Sequence, residues 1–302
     1  MRGGASYDEG VQGSQRGYKA VLRETFTHMT LNRVNVAAGA LAYRWFLAIF
    51  PIIIALLGIA ALVTIPPHVV ISLIKGVTKS LPTGAAQVFT GAIANAGHHT
   101  GADLLATVVA SVVALWSATS GMVIVEEGLD MAFDLPRDRS FLEKRIVAMP
   151  ILLGATVLGG AASALVIFGP QLGTLIKDSM PVAGTAFSAL WTVVRWVLAL
   201  VLMNLLMSLL YYVAPNRARS RWRWTSLGAL CATLLWAIVS LGFSFYTSSF
   251  NSYGRTYGAF AGVAILIFWL YLTGLAILVG GEVDAAVSRL DAASLHTDTN
   301  SP

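Results

Sequence analysis

The sequence predicts an all-α fold: a membrane bundle of six transmembrane helices, with an outer amphipathic helical segment between the first two. Composition, uncharged run length and the placement of basic residues predict it. Of 302 residues, 56% are hydrophobic and 12% charged, about half the roughly 25% charge of a soluble domain. Walking from charge to charge gives six uncharged intervals, 45–74, 104–125, 146–176, 196–216, 224–254 and 256–281. About 20 helical residues cross a hydrocarbon core of about 30 Å, so each interval suffices. Trimmed by apolarity, the spans are expected near 40–63, 104–125, 146–169, 190–213, 226–247 and 258–280. Ala259–Val279 is an unbroken apolar run, without the alternation a membrane barrel requires. One cysteine, Cys231, excludes a disulfide scaffold.

Cytoplasmic loops collect Lys and Arg. Arg2, Arg16, Lys19, Arg23, Arg33, Arg137, Arg139, Lys144, Arg145, Arg217, Arg219, Arg221, Arg223 and Arg289 fall on one side, against Lys75, Lys79, Lys177 and Arg255 on the other. Both termini are therefore expected in the cytoplasm. The net charge of +5 follows from this topology and requires no nucleic-acid partner. Residues 1–20 are Gly-rich and polar and read as a disordered tail, 21–290 as the transmembrane domain and 291–302 as a second tail. No cleaved leader is visible.

About 40 residues separate the first two spans, too many for a turn. Val70, Leu73, Ile74 and Val77 form one apolar stripe, and Val88, Phe89 and Ile93 a second after Leu81-Pro82. This segment is expected to be helical, lying on the membrane or capping the bundle. Its His98-His99 pair is a poor metal site, because adjacent helical residues face apart. Between the fourth and fifth spans, Arg217, Arg219, Arg221 and Arg223 precede or surround Trp222 and Trp224. Such a basic, aromatic loop suits anionic lipid head groups, the expected partners on the cytoplasmic face.

Ionisable groups at membrane depth are costly unless paired or hydrated. Arg44, Glu126, Arg195 and Glu282 qualify, and Asn204, Ser208 and Tyr211 add a polar stripe at i, i+4 and i+7 on the fourth span. Together they are candidate lining for a polar cavity, with Arg44 within reach of Glu126 or Glu282; ion pairs that fix helix register are the alternative. Pro51 is expected to kink the first span, and Gly258 with Gly262 to allow close helix approach.

Ala37–Leu57, Leu115–Gly121 with Phe133–Arg145, Tyr211–Asn216 and Phe250–Ala285 resemble the YihY/BrkB family of bacterial inner-membrane proteins, once labelled ribonuclease BN. The resemblance covers about residues 20–290 and implies a plasma-membrane protein without a well-defined activity. Glu282 matches the family's terminal glutamate, and Tyr253, Gly254, Thr256, Tyr257 and Gly258 its outer turn. The chain departs from the pattern at Arg44, where an uncharged residue is expected, and at Gly281-Glu282-Val283-Asp284.

The expected function is transport of a lipid or small solute, with a structural or assembly role in the envelope as the alternative. No enzyme and no cofactor are expected. The histidines are scattered, and Glu126, Glu127, Asp130 and Asp134, the one acidic cluster a metal could use, stand close to Arg137, Arg139, Lys144 and Arg145. A salt-bridged surface is expected there.

Overall fold

The computed structural model describes residues 5–62, 104–135, 139–179, 184–217, 224–249 and 253–298, and among the described residues only helices and short connections occur. The first helix, α1 (Ala5–Leu31), ends at Asn32-Arg33, and α2 (Val34–Leu62) begins immediately. Arg33 turns the corner at φ 49°, a left-handed conformation that costs a residue with a side chain roughly 1–2 kcal/mol. Its carbonyl then accepts from the Val36 N–H at 2.8 Å, which starts the new helix.

After α3 (Leu104–Ala132) come α4 (Phe141–Gly154), a π segment (Ala155–Gly159) and α5 (Gly160–Ser179) in one continuous rod. Its start is set by a capping box: Ser140 N–H donates to Glu143 Oε2 at 2.8 Å, and Ser140 Oγ accepts from the Glu143 N–H. Pro150 and Pro170 sit inside the rod, each removing one ladder bond. The set is completed by α6 (Gly184–Val213), α7 (Leu227–Ser249) and α8 (Tyr253–Asp298).

Among the described residues, four helical stretches are long and apolar enough to cross a membrane: Phe141–Thr174, Ala189–Val213, Leu227–Tyr246 and Gly262–Asp291. Helices α2 and α3 stand where the first two spans are expected, and Val34–Ile49 is apolar over a shorter length. The expected outer amphipathic segment falls in 63–103, outside the described residues.

Several elements outrun the sequence reading. Residues 5–20 are helical within α1 and 291–298 within α8, and neither stretch contains a proline to break the ladder. The segment Tyr253, Gly254, Thr256, Tyr257 and Gly258, matched to an outer turn, forms instead the opening turns of α8. Helix α2 is continuous through Pro51.

The core sits toward one end of the bundle, where α1, residues 133–135, 139–140, 214–217 and 224–226 and the last part of α8 gather. Leu41, Val125, Leu129, Ile151, Tyr211 and Ile277 are buried together there. This end, the collar, is the one expected to face the cytoplasm. Helix α2 packs along α3 and α8, α7 along α8, and α5 chiefly on α6. One close crossing joins α7 and α8 at Gly228 and Gly280, where a Cβ on Gly280 would stand 2.6 Å from the Gly228 carbonyl. The packing around Gly258, where close approach is expected together with Gly262, lies outside the described residues.

Candidate functional site

The collar is held by two polar clusters built from sequence-distant pieces. In the first, α3 extends past its apolar run and presents Glu126, whose side chain is fully buried. Arg139, just ahead of α4, donates from Nη1 to Glu126 Oε1 at 2.6 Å. The same guanidinium donates to the carbonyls of Ala214 at 2.6 Å and Pro215 at 3.3 Å. These carbonyls lie just beyond α6, where a helix leaves acceptors without intrahelical donors. Asp130 Oδ1 accepts the Asn216 N–H at 2.7 Å, and Arg217 donates to the Tyr211 carbonyl at 3.3 Å while stacking 4.1 Å over the Phe133 ring. The Phe133–Arg145 and Tyr211–Asn216 segments singled out in the sequence are thus one interlocked unit. Beside it opens a cleft of about 360 Å³, lined by Arg139, Glu143, Ile146, Val147 and Asn216.

Burial pushes the Glu126 carboxyl from its ordinary 4.5 up to about 7, against the lowering pull of Arg139. Desolvation opposes the charged form more strongly than one short ion pair favours it.

The second cluster joins α1, the end of α3 and α8. Glu282 is 1% exposed, and its Oε1 accepts from Asn32 Nδ2 at 2.7 Å. Arg289 Nη2 stands 4.0 Å from Glu282 Oε2, while Arg289 Nη1 donates to the Ala132 carbonyl at 2.8 Å and to Asp134 Oδ2 at 3.0 Å. Glu24 Oε1 lies 3.3 Å from both Arg289 Nε and His28 Nε2. Asp134 also closes α3: the Leu135 N–H returns to the Asp130 carbonyl and the Asp134 N–H to that of Met131, the pattern of a Schellman cap. Its left-handed position, φ 52°, usually belongs to glycine. Here an aspartate holds it, and its carboxylate reaches Arg289.

The candidate cavity residues do not converge. Arg44 is exposed and pairs with neither acid; Glu126 Oε1 is taken by Arg139 and Glu282 Oε1 by Asn32. Asn204 Nδ2 faces Thr233 Oγ1 at 3.5 Å, Ser208 Oγ donates to the Trp224 carbonyl at 3.0 Å, and Tyr211 Oη donates to the Ile277 carbonyl at 2.6 Å. The stripe on α6 therefore fastens it to α7, the following connection and α8 in turn. Arg195 lies far along α6 from these groups, its stem against Gly169, with Trp191 Nε1 donating to the Gly169 carbonyl at 2.6 Å. Of the residues expected to meet anionic lipid, Arg217 lies over the Phe133 ring and Trp224 is exposed. Arg219, Arg221, Trp222 and Arg223 lie outside the described residues.

The α3 acids are each committed: Glu126 to Arg139, Glu127 to Lys144 at 2.7 Å, Asp130 to Asn216 and Asp134 to Arg289. The expected salt-bridged surface is present. Among the described residues, no three His, Cys, Asp or Glu side chains are placed to share a metal ion. Sequence reasoning missed Asn32 as the Glu282 partner and Arg289 as the hub of the second cluster, since nothing local marks a contact across 250 residues.

The Tyr211 bond has a measurable consequence. Tyr211→Phe keeps the ring and leaves a buried carbonyl without its donor. The cost is expected to be about 1–3 kcal/mol, read as a lower heat-denaturation midpoint in detergent.

Comparison with known proteins places this architecture. The family model described as virulence factor BrkB matches residues 25–301. The chain is similar to the putative ribonuclease-like protein YfkH of Bacillus subtilis (strain 168), 31% identical over 268 residues, covering 89% of this chain and 95% of that protein. It is also similar to a UPF0761 membrane protein of Vibrio atlanticus (strain LGP32), 30% identical over 285 residues, covering 94% and 87% respectively. No solved structure matches. With its apolar helices and a family match running almost from end to end, the chain is a membrane protein that belongs to the BrkB family.

Proposed function

We propose that this protein moves an amphipathic molecule, a lipid, along an apolar lateral face, and that it does so in a bacterial plasma membrane with both termini in the cytoplasm. One observation carries the reading. On α6, residues 192–194 and 196–198 are all exposed. Successive helical residues point about 100° apart, so these six sweep about 240° of the circumference, and the narrow remaining face carries Trp191, Arg195 and the buried Ala199. Trp191 and Arg195 seat it on α5. Five of the six bared residues are apolar, Val193, Val194, Trp196, Val197 and Leu198, and the sixth is Thr192. An apolar face of this breadth suits acyl chains better than a hydrated solute, and the tightly fastened collar closes the bundle at one end.

The relative named as ribonuclease-like prompts an enzymatic alternative, which we do not adopt. The α3 acids are occupied by cations and backbone, not directed at a substrate position. A non-transporting structural role is the second reading, favoured by the local pairing of Asn204, Ser208 and Glu282.

Reconstitution into vesicles carrying a fluorescent phospholipid, with a membrane-impermeant quencher added outside, separates the two. Transport predicts that the inner-leaflet signal is lost faster than in protein-free vesicles. A folded, reconstituted protein whose traces match the protein-free control would overturn the transport reading in favour of the structural one.

A further inference from the structure

A pair of arginines on the flank of the bundle has no role in the collar or in the apolar face of α6. Arg145, on α4, donates from Nη1 to the Trp116 carbonyl at 2.9 Å and to Thr119 Oγ1, and from Nη2 to Ser120 Oγ at 2.9 Å. Its guanidinium lies 4.0 Å over the Trp116 ring and 5.5 Å from that of Phe141. All these partners are neutral; they fix the plane of the cation and leave its charge uncompensated.

Arg44 stands beside it. The next residue, Trp45, seats its indole against Gly121, the neighbour of Ser120, so α2 presents Arg44 at the same level. Its charge acts on Arg145. Arg44 is exposed, and so are Tyr43, Trp116 and Phe141 around it. The nearby acids are spoken for: Glu126 by Arg139, Glu127 by Lys144, and Glu143 by the α4 capping box. Among the described residues neither arginine has an acidic partner.

Two like charges side by side on a lipid-facing flank repel unless an anion joins them. An aromatic rim is the usual companion of a site at head-group depth. We propose that Arg44 and Arg145 form a binding site for the phosphate of an anionic phospholipid in the collar-side leaflet, with Tyr43, Trp116 and Phe141 packing against its glycerol and upper acyl chain. Arg145 is the pre-oriented donor. Arg44 supplies the second charge. The inference is independent of the transport reading, since it concerns a different face and a resident lipid.

Native mass spectrometry of the full-length protein, with phosphatidylglycerol or phosphatidylcholine added in equal amount, tests it. Phosphatidylglycerol is expected to stay bound to the wild type and to bind about fivefold more weakly to Arg44→Gln, the weight of one basic residue facing an anionic lipid. Phosphatidylcholine should show weak binding that the variant does not change. Arg145→Gln is expected to lose the site, but it also breaks bonds to α3. Arg44 is exposed, so Arg44→Gln is the deciding variant. Equal retention of phosphatidylglycerol by wild type and Arg44→Gln, or equal binding of the two lipids by the wild type, would overturn the proposal.

Discussion

Replacing Arg139 with glutamine is expected to destabilise the protein by about 3–5 kcal/mol, the scale for removing one partner of a buried ion pair. The size follows from what Arg139 holds. Its side chain is 12% exposed and Glu126 is fully enclosed, so neither water nor another cation can replace the guanidinium without opening the collar. The Ala214 and Pro215 carbonyls lose their donor at the same time, and the connection after α6 loses its anchor to α4. Arg139→Lys should rescue only part, because an ammonium cannot span a carboxylate and two carbonyls as the planar fork does. Glu126→Gln combined with Arg139→Gln should be less damaging than Arg139→Gln alone, since no buried charge then remains unmatched. Heat denaturation of the three variants in one detergent gives the comparison.

The defect should also depend on pH in a defined direction. With its folded value raised to about 7 from an ordinary 4.5, Glu126 contributes stability that is fully present below about 4.5. That contribution is lost as pH rises through 7. Without Arg139 the lowering pull disappears and the folded value climbs further. At pH 5 both proteins hold Glu126 largely protonated, and the deficit of Arg139→Gln reduces to the lost carbonyl bonds. At pH 8.5 the wild type has an ionised, paired glutamate, while the variant must either hold a proton against the solution or bury a bare charge. The gap in denaturation midpoint should therefore widen from pH 5 to pH 8.5. A gap constant across this range would mean that the guanidinium matters only through the Ala214 and Pro215 carbonyls.

The membrane character was legible because it depends on composition over windows of twenty residues. Ala259–Val279 announces a buried or lipid-facing helix whatever surrounds it, and α8 contains that run. The salt-bridged end of α3 was legible for a related reason: four acids are followed within a dozen residues by four cations, and a short connection brings such groups together. Arg44 shows where that reasoning fails. A cation one turn into an apolar helix invites pairing with the nearest acids along the membrane normal, but azimuth decides the outcome. Arg44 points to the flank, and Arg139 takes the carboxylate. Asn32 and Glu282 meet because α1 folds back over α8 at the Arg33 turn, and an arginine at φ 49° leaves no mark in a sequence, as a glycine would. Asp134 is hidden in the same way, an aspartate in the place of the usual helix-ending glycine, kept there by Arg289. The stacking of Arg217 depends on Phe133, 84 residues earlier in a numbering that gives no hint of contact.

Gly280→Ala is the second large effect, and it tests the crossing that closes the collar. A methyl group here would overlap Tyr211 Oη and approach the Ala232 Cβ and the Gly228 carbonyl to 2.6 Å each. Two of those neighbours cannot step aside cheaply: the carbonyl belongs to the α7 backbone, and Ala232 is itself fully buried between the helices. Either α7 moves away from α8, or Tyr211 withdraws and gives up its bond to the Ile277 carbonyl. Overpacking of this kind costs about 1–3 kcal/mol and the forfeited hydrogen bond about 1–3 kcal/mol more. Gly39→Ala is the matched control. It adds the same methyl group to α2 with no atom within 4 Å, so its expected effect is neutral or stabilising by up to about 1 kcal/mol through helix propensity. Combining Gly280→Ala with Tyr211→Phe separates the two routes. If the tyrosine is what yields, removing its hydroxyl first should relieve most of the clash, and the double variant should be no worse than Gly280→Ala alone. If the helices part instead, the two losses should add, because the carbonyl of Gly228 still blocks the methyl group.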